Sequence, residues 1–121
     1  MSVELVQSLI RSAADDGNVV VVGRGGQVIL RDRPGVLHVR IGAPLDVRVE
    51  RVRQAEGLSM DAARELVKRR DKASEDYLTR FYDVDMGDPR LYDLIINTAK
   101  MPPTIAADLI IKAVEALEAK A

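Results

Sequence analysis

Two apolar runs that flank a glycine-rich loop constrain the fold of this chain most strongly. Four valines, Val19–Val22, are followed directly by the loop Gly23–Gly26, and a second apolar run spans Val36–Ile41. Consecutive β-branched residues are typical of a strand that is buried on both faces, as in parallel sheets. About a dozen residues separate the runs, which is near the minimum for a crossover connection and more than a tight hairpin uses. The sequence therefore predicts two parallel strands, with the loop at a sheet edge where ligands bind in α/β proteins.

The rest of the chain alternates helical patterns with one further strand candidate. Apolar residues at helical spacing, with Ser or Pro near the starts and Gly near the ends, predict the helix boundaries. The predicted elements are a helix over 3–15, a short helix over 27–30, a helix from Pro44 to Gly57, a long helix from Ser59 to Phe81, a strand over 91–97 and a helix that begins at Pro102-Pro103. Together they predict a three-layer α/β domain with a mainly parallel sheet of about three strands.

Composition restricts the classes of function. A chain of 121 residues suits one domain, residues 1–121. The 18 Lys and Arg residues nearly balance the 19 Asp and Glu residues, so the net charge of −1 does not favour a nucleic acid partner. The chain has no cysteine and a single histidine, His38, so we expect no metal site built on thiolates or on a histidine cluster. No apolar run reaches the roughly 18 residues that span a bilayer, and we expect a cytoplasmic protein without membrane contact.

The glycine loop is the first candidate site. Gly23, Gly25 and Gly26 allow the backbone to approach a ligand closely or to adopt positive φ. Arg24 between them presents a planar donor that suits a carboxylate, a phosphate or the edge of a base. The alternative is structural: the loop is a tight turn after a buried strand, and Arg24 points into solvent. The residues alone leave both interpretations open.

Two further sets of charged residues are candidates for phosphate contacts. Arg48 and Arg51 lie one turn apart on a predicted helix, and guanidinium groups both pair with phosphates and stack on bases. Arg70 and Asp71 lie in the highly charged middle of the long helix, which suits a mobile lid over a phosphate-transfer site. In each case the alternative is an exposed helix face that carries charges and ion pairs. His38, inside a predicted strand, is interpreted as a structural residue.

Three segments of the sequence together resemble a known enzyme family. They are GNVVVVGRGGQVILRDRPGVLHVRIGAPLDVRVERV, ELVKRRDKASEDYLTRFYDVD and LYDLIINT. The sequence resembles the cytidylate kinase-like branch of the P-loop nucleoside monophosphate kinases, from about Val3 to its end. The resemblance implies a P-loop kinase-like fold, ATP and Mg²⁺ as cofactors, and a CMP-like nucleoside monophosphate as a ligand.

The resemblance also assigns nucleotide-binding roles to individual residues. Gly23 and Arg24 match the start of a Gly-Arg-Asp motif that presents side chains to the cytosine base, and Gly25 stands where that motif has aspartate. The kinase-like branch itself commonly has Gly-Arg-Gly here. Arg51 takes the place of an arginine on the adenine side of ATP, and Arg48 lies on the same helix.

The lid residues Arg70 and Asp71 are the candidates for catalysis, because family arginines in the lid clamp the transferring phosphoryl group. Ser74 stands where a further lid arginine is expected. The sequence contains no G-x-x-x-x-G-K-S/T loop of the kind that cradles phosphates in these kinases. The chain therefore resembles the C-terminal portion of the family fold, a truncated P-loop kinase-like domain.

Three functional hypotheses follow from the resemblance. The first is a nucleotide-binding pseudoenzyme, related to ATP-dependent phosphorylation of nucleoside monophosphates but not catalytic alone, because phosphoryl transfer depends on the phosphate loop and Mg²⁺. The second is part of an active kinase that an N-terminal half completes. The third is an oligomerisation or regulatory module that reuses the fold. Since the family places the phosphate-loop strand between Val19–Val22 and Val36–Ile41, their open edges predict a homo-oligomer or a partner chain that supplies a strand.

Overall fold

The computed structural model describes residues 1–120, which form five α-helices, one short 3₁₀ helix and a two-stranded sheet. In chain order the elements are α1 (Val3–Asp16), α2 (Gly26–Ile29), β1 (Val39–Gly42), α3 (Leu45–Glu56), α4 (Met60–Tyr82), the 3₁₀ helix (Pro89–Leu91), β2 (Leu94–Asn97) and α5 (Pro103–Lys120). All five predicted helical segments form, close to their predicted boundaries. Within residues 1–120, no helix combines the length and the apolar character needed to cross a membrane.

Residues next to the helix ends determine where the helices begin and end, through N-cap hydrogen bonds and a C-cap glycine. The Ser2 hydroxyl accepts a hydrogen bond from the Leu5 N–H at 3.1 Å, and the Ser59 hydroxyl accepts one from the Ala62 N–H at 3.2 Å. Each hydroxyl replaces an intrahelical acceptor that the first turn lacks. Gly57 ends α3 in the left-handed conformation, at φ 64° and ψ 36°, which a glycine adopts without steric cost.

The two strands pair in parallel. Val39 lies opposite Leu94 and Gly42 lies opposite Asn97, so the carboxyl ends of both strands meet at one edge of the sheet. The predicted α/β class and mainly parallel sheet are confirmed, although the sheet has two strands instead of about three. Both strands begin later than predicted. Leu91 belongs to the 3₁₀ helix, and the His38 N–H donates to the Asp93 carboxylate instead of to a backbone carbonyl of the neighbouring strand.

The predicted strand at Val19–Val22 is wrong. This run is not part of the sheet, and Val19, Val20 and Val22 are 49%, 88% and 86% exposed. Within residues 1–120 the sheet holds only β1 and β2, so the predicted pairing of Val19–Val22 with the second apolar run is also wrong. The physical reason is that a strand needs a neighbour for its N–H and C=O groups, whatever its side chains.

The tightest packing lies between α3 and α4. Val49 on α3 is fully buried and packs against Ala63 and Val67 on α4. Partly buried side chains surround this cluster, namely Leu45, Val52 and Leu58. The predicted inward face of α3 is therefore confirmed, and the two helices form a packed pair that carries most of the candidate site.

Candidate functional site

Helices α3 and α4 bring four of the predicted site residues together. One open cavity of about 260 Å³ lies between the two helices. Its lining consists of Arg48, Arg51, Val52, Val67, Arg70 and Asp71. We call it the arginine cavity. The two catalytic candidates and the two nucleotide-binding candidates of α3 thus share one surface, although the sequence separates them into two helices.

Arg48 links three parts of the fold. Its Nε donates to the Ala43 carbonyl at 2.9 Å, directly after β1. Its Nη1 donates to both carboxylate oxygens of Asp71, at 2.9 and 3.0 Å. The side chains are 33% and 39% exposed, so neither lies on a fully solvated helix face. The Arg48 guanidinium is therefore oriented by the end of the sheet on one side and by α4 on the other.

Arg51 is anchored at the carboxyl end of the other strand. Its Nη1 donates to the Thr98 hydroxyl at 2.9 Å, and its Nη2 donates to the Thr98 carbonyl at 2.6 Å. Thr98 immediately follows β2, at the sheet edge where ligands bind in parallel α/β proteins. Reasoning from the sequence missed Thr98. Its position directly after a predicted strand was the signal that could have found it.

Arg70 approaches the arginine cavity from α4. Its Nη2 lies 3.1 Å from Glu56 Oε1 at the end of α3, and the two side chains are 56% and 42% exposed. An ion pair with this exposure contributes little to stability, because water screens it. A phosphate that enters the cavity would compete with two carboxylates, Glu56 for Arg70 and Asp71 for Arg48.

The glycine loop lies at a different surface. Arg24 lines a second groove of about 450 Å³, together with Val21, Val22, Tyr77, Phe81 and the apolar face of α1. We call it the apolar groove. None of the loop residues 23–26 lines the arginine cavity. The structure thus divides the predicted nucleotide-binding residues between two surfaces.

The backbone conformation of the loop explains why glycines occur in it. Gly23, Arg24 and Gly25 adopt φ values of 73°, 58° and 76° in succession. Arg24 is a non-glycine residue at positive φ, an uncommon and costly conformation. A Cβ on Gly25 would lie 2.6 Å from Tyr82 Cε2, so Gly25 is required by packing as well as by φ. This contact supports the structural interpretation for Gly25, whereas the exposed Arg24 side chain remains accessible to a ligand.

Tyr77, which lines the apolar groove, has a shifted pKa. Burial raises the pKa of the Tyr77 phenol above its ordinary 10.0, because the charged form loses hydration, and the neighbouring Tyr82 adds to the shift. The Arg24 guanidinium acts in the opposite direction and lowers the pKa of Tyr77. Arg24 and Tyr77 both line the apolar groove, which places the loop beside α4.

Acidic and other metal-ligating side chains are dispersed over the part of the chain that the structure describes. In residues 1–120, no three His, Cys, Asp or Glu side chains cluster closely enough to hold a metal ion. The carboxylate of Asp71 is engaged by Arg48 through both oxygens. Magnesium in phosphoryl-transfer enzymes is usually held by one or two carboxylates together with substrate phosphates.

His38 has structural partners. Its Nε2 lies 3.2 Å from the Leu30 carbonyl, and its backbone N–H donates to Asp93 Oδ2 at 2.8 Å. These contacts tie the chain ahead of β1 to the end of α2 and to the chain ahead of β2. The structure gives His38 the structural role that its position in the sequence predicts.

Comparison with known proteins identifies the family. The sequence profile described as "Cytidylate kinase-like family" matches residues 1–100. This chain belongs to the cytidylate kinase-like family. The resemblance inferred from the sequence is therefore confirmed, and the α/β domain with its arginine cavity is a cytidylate kinase-like domain.

Individual relatives match with moderate identity. A cytidylate kinase from Pyrococcus horikoshii is 36% identical over 91 residues, which cover 75% of this chain and 46% of that protein. A uronate isomerase from Corynebacterium glutamicum is 38% identical over 103 residues, which cover 85% of this chain and 20% of that protein. The cytidylate kinase-like chain thus spans less than half the length of either relative.

A solved structure supports the fold. The crystal structure of an uncharacterized protein from Eubacterium ventriosum superimposes with a TM-score of 0.83 at 28% sequence identity. The match covers 91% of this chain and 63% of that one. The kinase-like α/β arrangement of this cytidylate kinase-like domain therefore recurs in an experimentally determined protein.

Proposed function

We propose that this domain binds nucleotides, with the arginine cavity on the ATP side, as a relative of enzymes that phosphorylate nucleoside monophosphates. The observation that carries the proposal is the convergence of Arg48, Arg51, Arg70 and Asp71 on one cavity beside the carboxyl ends of two parallel strands. This is the edge at which α/β proteins bind their ligands.

The chemistry of the arginine cavity suits an anionic, planar ligand. Three arginines and one aspartate line the cavity, and guanidinium groups pair with phosphates and stack on bases. A volume of about 260 Å³ lies below the range of about 300–1,000 Å³ that is typical of complete ligand pockets. The cavity would therefore hold part of a nucleotide, and Arg24 in the apolar groove is proposed as the contact for a CMP-like base.

Nucleotide binding can be measured by calorimetry with ATP and with CMP. We expect Arg51→Ala to weaken ATP binding about tenfold or more, which corresponds to the loss of a charge-assisted contact. Arg64→Ala is the matched control, because Arg64 is an exposed arginine on α4 that does not line the arginine cavity. Wild-type protein that binds no ATP, or Arg51→Ala protein that binds like Arg64→Ala, would contradict the proposal.

The base contact needs its own variant. We expect Arg24→Ala to weaken CMP binding and to leave ATP binding unchanged, because Arg24 lines a different groove from Arg51. Equal CMP affinity in wild type and Arg24→Ala would remove Arg24 from the site.

We further propose that the chain does not transfer phosphate alone. Catalysis of phosphoryl transfer relies on a phosphate loop with its lysine and on Mg²⁺, and this sequence has no such loop. Incubation with ATP, Mg²⁺ and CMP or dCMP is expected to give no CDP or dCDP above background. Robust turnover would end this part of the proposal. A cytoplasmic location is also proposed, in keeping with a sequence that has no cysteine for disulfides.

A second candidate function is assembly through the uncovered valine run, Val19–Val22. The exposed valines Val20 and Val22, at 88% and 86%, leave an apolar run uncovered, and such a run is open to pairing with another chain. A second copy of this chain is one occupant, and the N-terminal half of a kinase is the other. The share of the Pyrococcus cytidylate kinase that this chain spans, 46%, supports the latter.

Analytical ultracentrifugation tests assembly directly. Self-association is expected to rise with concentration in wild type and to fall in Val20→Glu, which places a charge on the uncovered run. Ser8→Glu on α1 is the control for added charge, because Ser8 is already polar and exposed. A clean monomer at all concentrations, with normal nucleotide binding, would contradict self-assembly.

A further inference from the structure

The Thr98 hydroxyl makes two hydrogen bonds that point in different directions. It donates to the Gly42 carbonyl at 3.0 Å and accepts from Arg51 Nη1 at 2.9 Å. The Thr98 N–H donates to the same Gly42 carbonyl at 2.8 Å. Since Gly42 ends β1 and Thr98 follows β2, the hydrogen bonds at the end of the parallel sheet fix Thr98 without any contribution from Arg51.

Arg51 is held by Thr98 through both terminal nitrogens. The second bond, from Arg51 Nη2 to the Thr98 carbonyl, is 2.6 Å long. Two bonds from one planar group to one residue restrict both the position and the tilt of that plane. The Arg51 side chain is exposed, so its guanidinium faces are accessible to a planar ligand.

We propose that Thr98 is a positioning residue for nucleotide binding, because it orients Arg51 at the carboxyl edge of the sheet. This inference rests on the proposed function of the arginine cavity. A side chain that is already ordered loses less conformational freedom when a ligand binds. Removing the hydroxyl leaves Arg51 chemically intact and bonded to the Thr98 carbonyl alone. One bond fixes the tilt of the guanidinium plane less well than two, so we expect ATP affinity to fall by about 3- to 10-fold.

The threonine hydroxyl can be removed or retained with little change of volume. Thr98→Val deletes both side-chain hydrogen bonds, whereas Thr98→Ser keeps the hydroxyl that makes them. Calorimetry with ATP is expected to show about 3- to 10-fold weaker binding for Thr98→Val and affinity within about twofold of wild type for Thr98→Ser. CMP affinity is expected to stay unchanged in both variants.

A double-mutant comparison separates positioning from a general effect on the sheet. On an Arg51→Ala background, Thr98→Val is expected to cause no further loss of ATP affinity, because Thr98 acts through Arg51. The same fold loss on both backgrounds would overturn the inference. Wild-type ATP affinity in Thr98→Val would overturn it as well.

NMR relaxation of the Arg51 side-chain Nε–Hε group measures how ordered this side chain is, and so tests positioning without a ligand. The group is expected to be equally rigid on the picosecond-to-nanosecond timescale in wild type and in Thr98→Ser, and more mobile in Thr98→Val, which keeps only the bond to the Thr98 carbonyl. Equal mobility in all three proteins would refute the positioning role even if ATP binds. Conversely, wild-type protein that binds no ATP but shows this pattern would refute the proposed function while the orientation of Arg51 by Thr98 stands.

Discussion

The Arg48–Asp71 ion pair joins a predicted nucleotide-binding residue on α3 to a predicted catalytic residue on α4, 23 positions later in the sequence. We expect a double-mutant cycle with Arg48→Ala and Asp71→Ala to reveal favourable coupling between them. Arg48→Ala also loses the hydrogen bond to the Ala43 carbonyl, at 2.9 Å. The cycle cancels that loss, because it is present with and without Asp71.

The size of the coupling follows from the geometry. At the 2.9 Å separation of Arg48 Nη1 and Asp71 Oδ1, the Coulomb attraction in bulk water is about 1.4 kcal/mol. The side chains are 33% and 39% exposed, so screening and side-chain ordering reduce the net value. Both carboxylate oxygens are engaged, which favours the upper part of the range for exposed pairs, about 1 kcal/mol. For a domain of this size that coupling corresponds to about 4 °C in Tm.

Urea unfolding of the wild type, both single variants and the double variant, followed by circular dichroism, measures this coupling. The control cycle uses Lys72 and Asp76, an i,i+4 pair at 3.3 Å on α4 that is 77% and 64% exposed. We expect about 0.3 kcal/mol for the control. Repetition in 1 M NaCl should reduce both values, because the Debye length falls to about 3 Å. Coupling no larger than that of the control pair, or coupling unaffected by salt, would refute the reasoning.

Two further predictions concern α3 and need no ligand. Val49→Ala is expected to lower the unfolding free energy by about 2 kcal/mol, from two buried methyl groups and the cavity they leave. Val20→Ala, at an 88% exposed position, is the control and should change it by less than about 0.5 kcal/mol; equal effects in urea unfolding would contradict the observed core. The Arg53 guanidinium, with help from Gln54, lowers the pKa of Glu50 from 4.5 to about 2. Because the folded-state pKa is the lower one, this pair stabilises the fold above pH 4.5, and its contribution is lost as the pH falls toward 2. Carbon-detected NMR titration should place the Glu50 pKa near 2 in wild type and close to 4.5 in Arg53→Ala; an unchanged value in the variant would exclude Arg53 as the cause.

The helices could be predicted from the sequence because their determinants are local. Ser59 caps the first turn of α4 through a contact only three residues away, and Gly57 ends α3 through its own backbone freedom. The buried face of α3 follows from the spacing of its valines. Each of these features depends on residues within one or two turns, so neighbours in the fold do not alter it.

The strands were harder to predict, because a strand is defined by its partner. The most strand-like segment of the sequence, Val19–Val22, lies outside the sheet, whereas the less distinctive Leu94–Asn97 forms half of it. A run of β-branched side chains indicates a preference for a buried sheet surface. It does not indicate whether a neighbouring strand is present to pair with. Hydrogen-bond pairing, which decides the matter, is a property of two segments.

The sequence by itself determined the helical framework, the α/β class, the family and the identity of the candidate arginines. Only the tertiary structure decided what those arginines contact: Arg48 meets Asp71 23 residues away, and Arg51 meets Thr98 47 residues away. It also separated the glycine loop of Arg24 from the arginine cavity. The physical reason is that the residue type alone decides which groups an arginine can bind. Its orientation and its partners depend on helix packing and strand register, which bring together residues far apart in the chain.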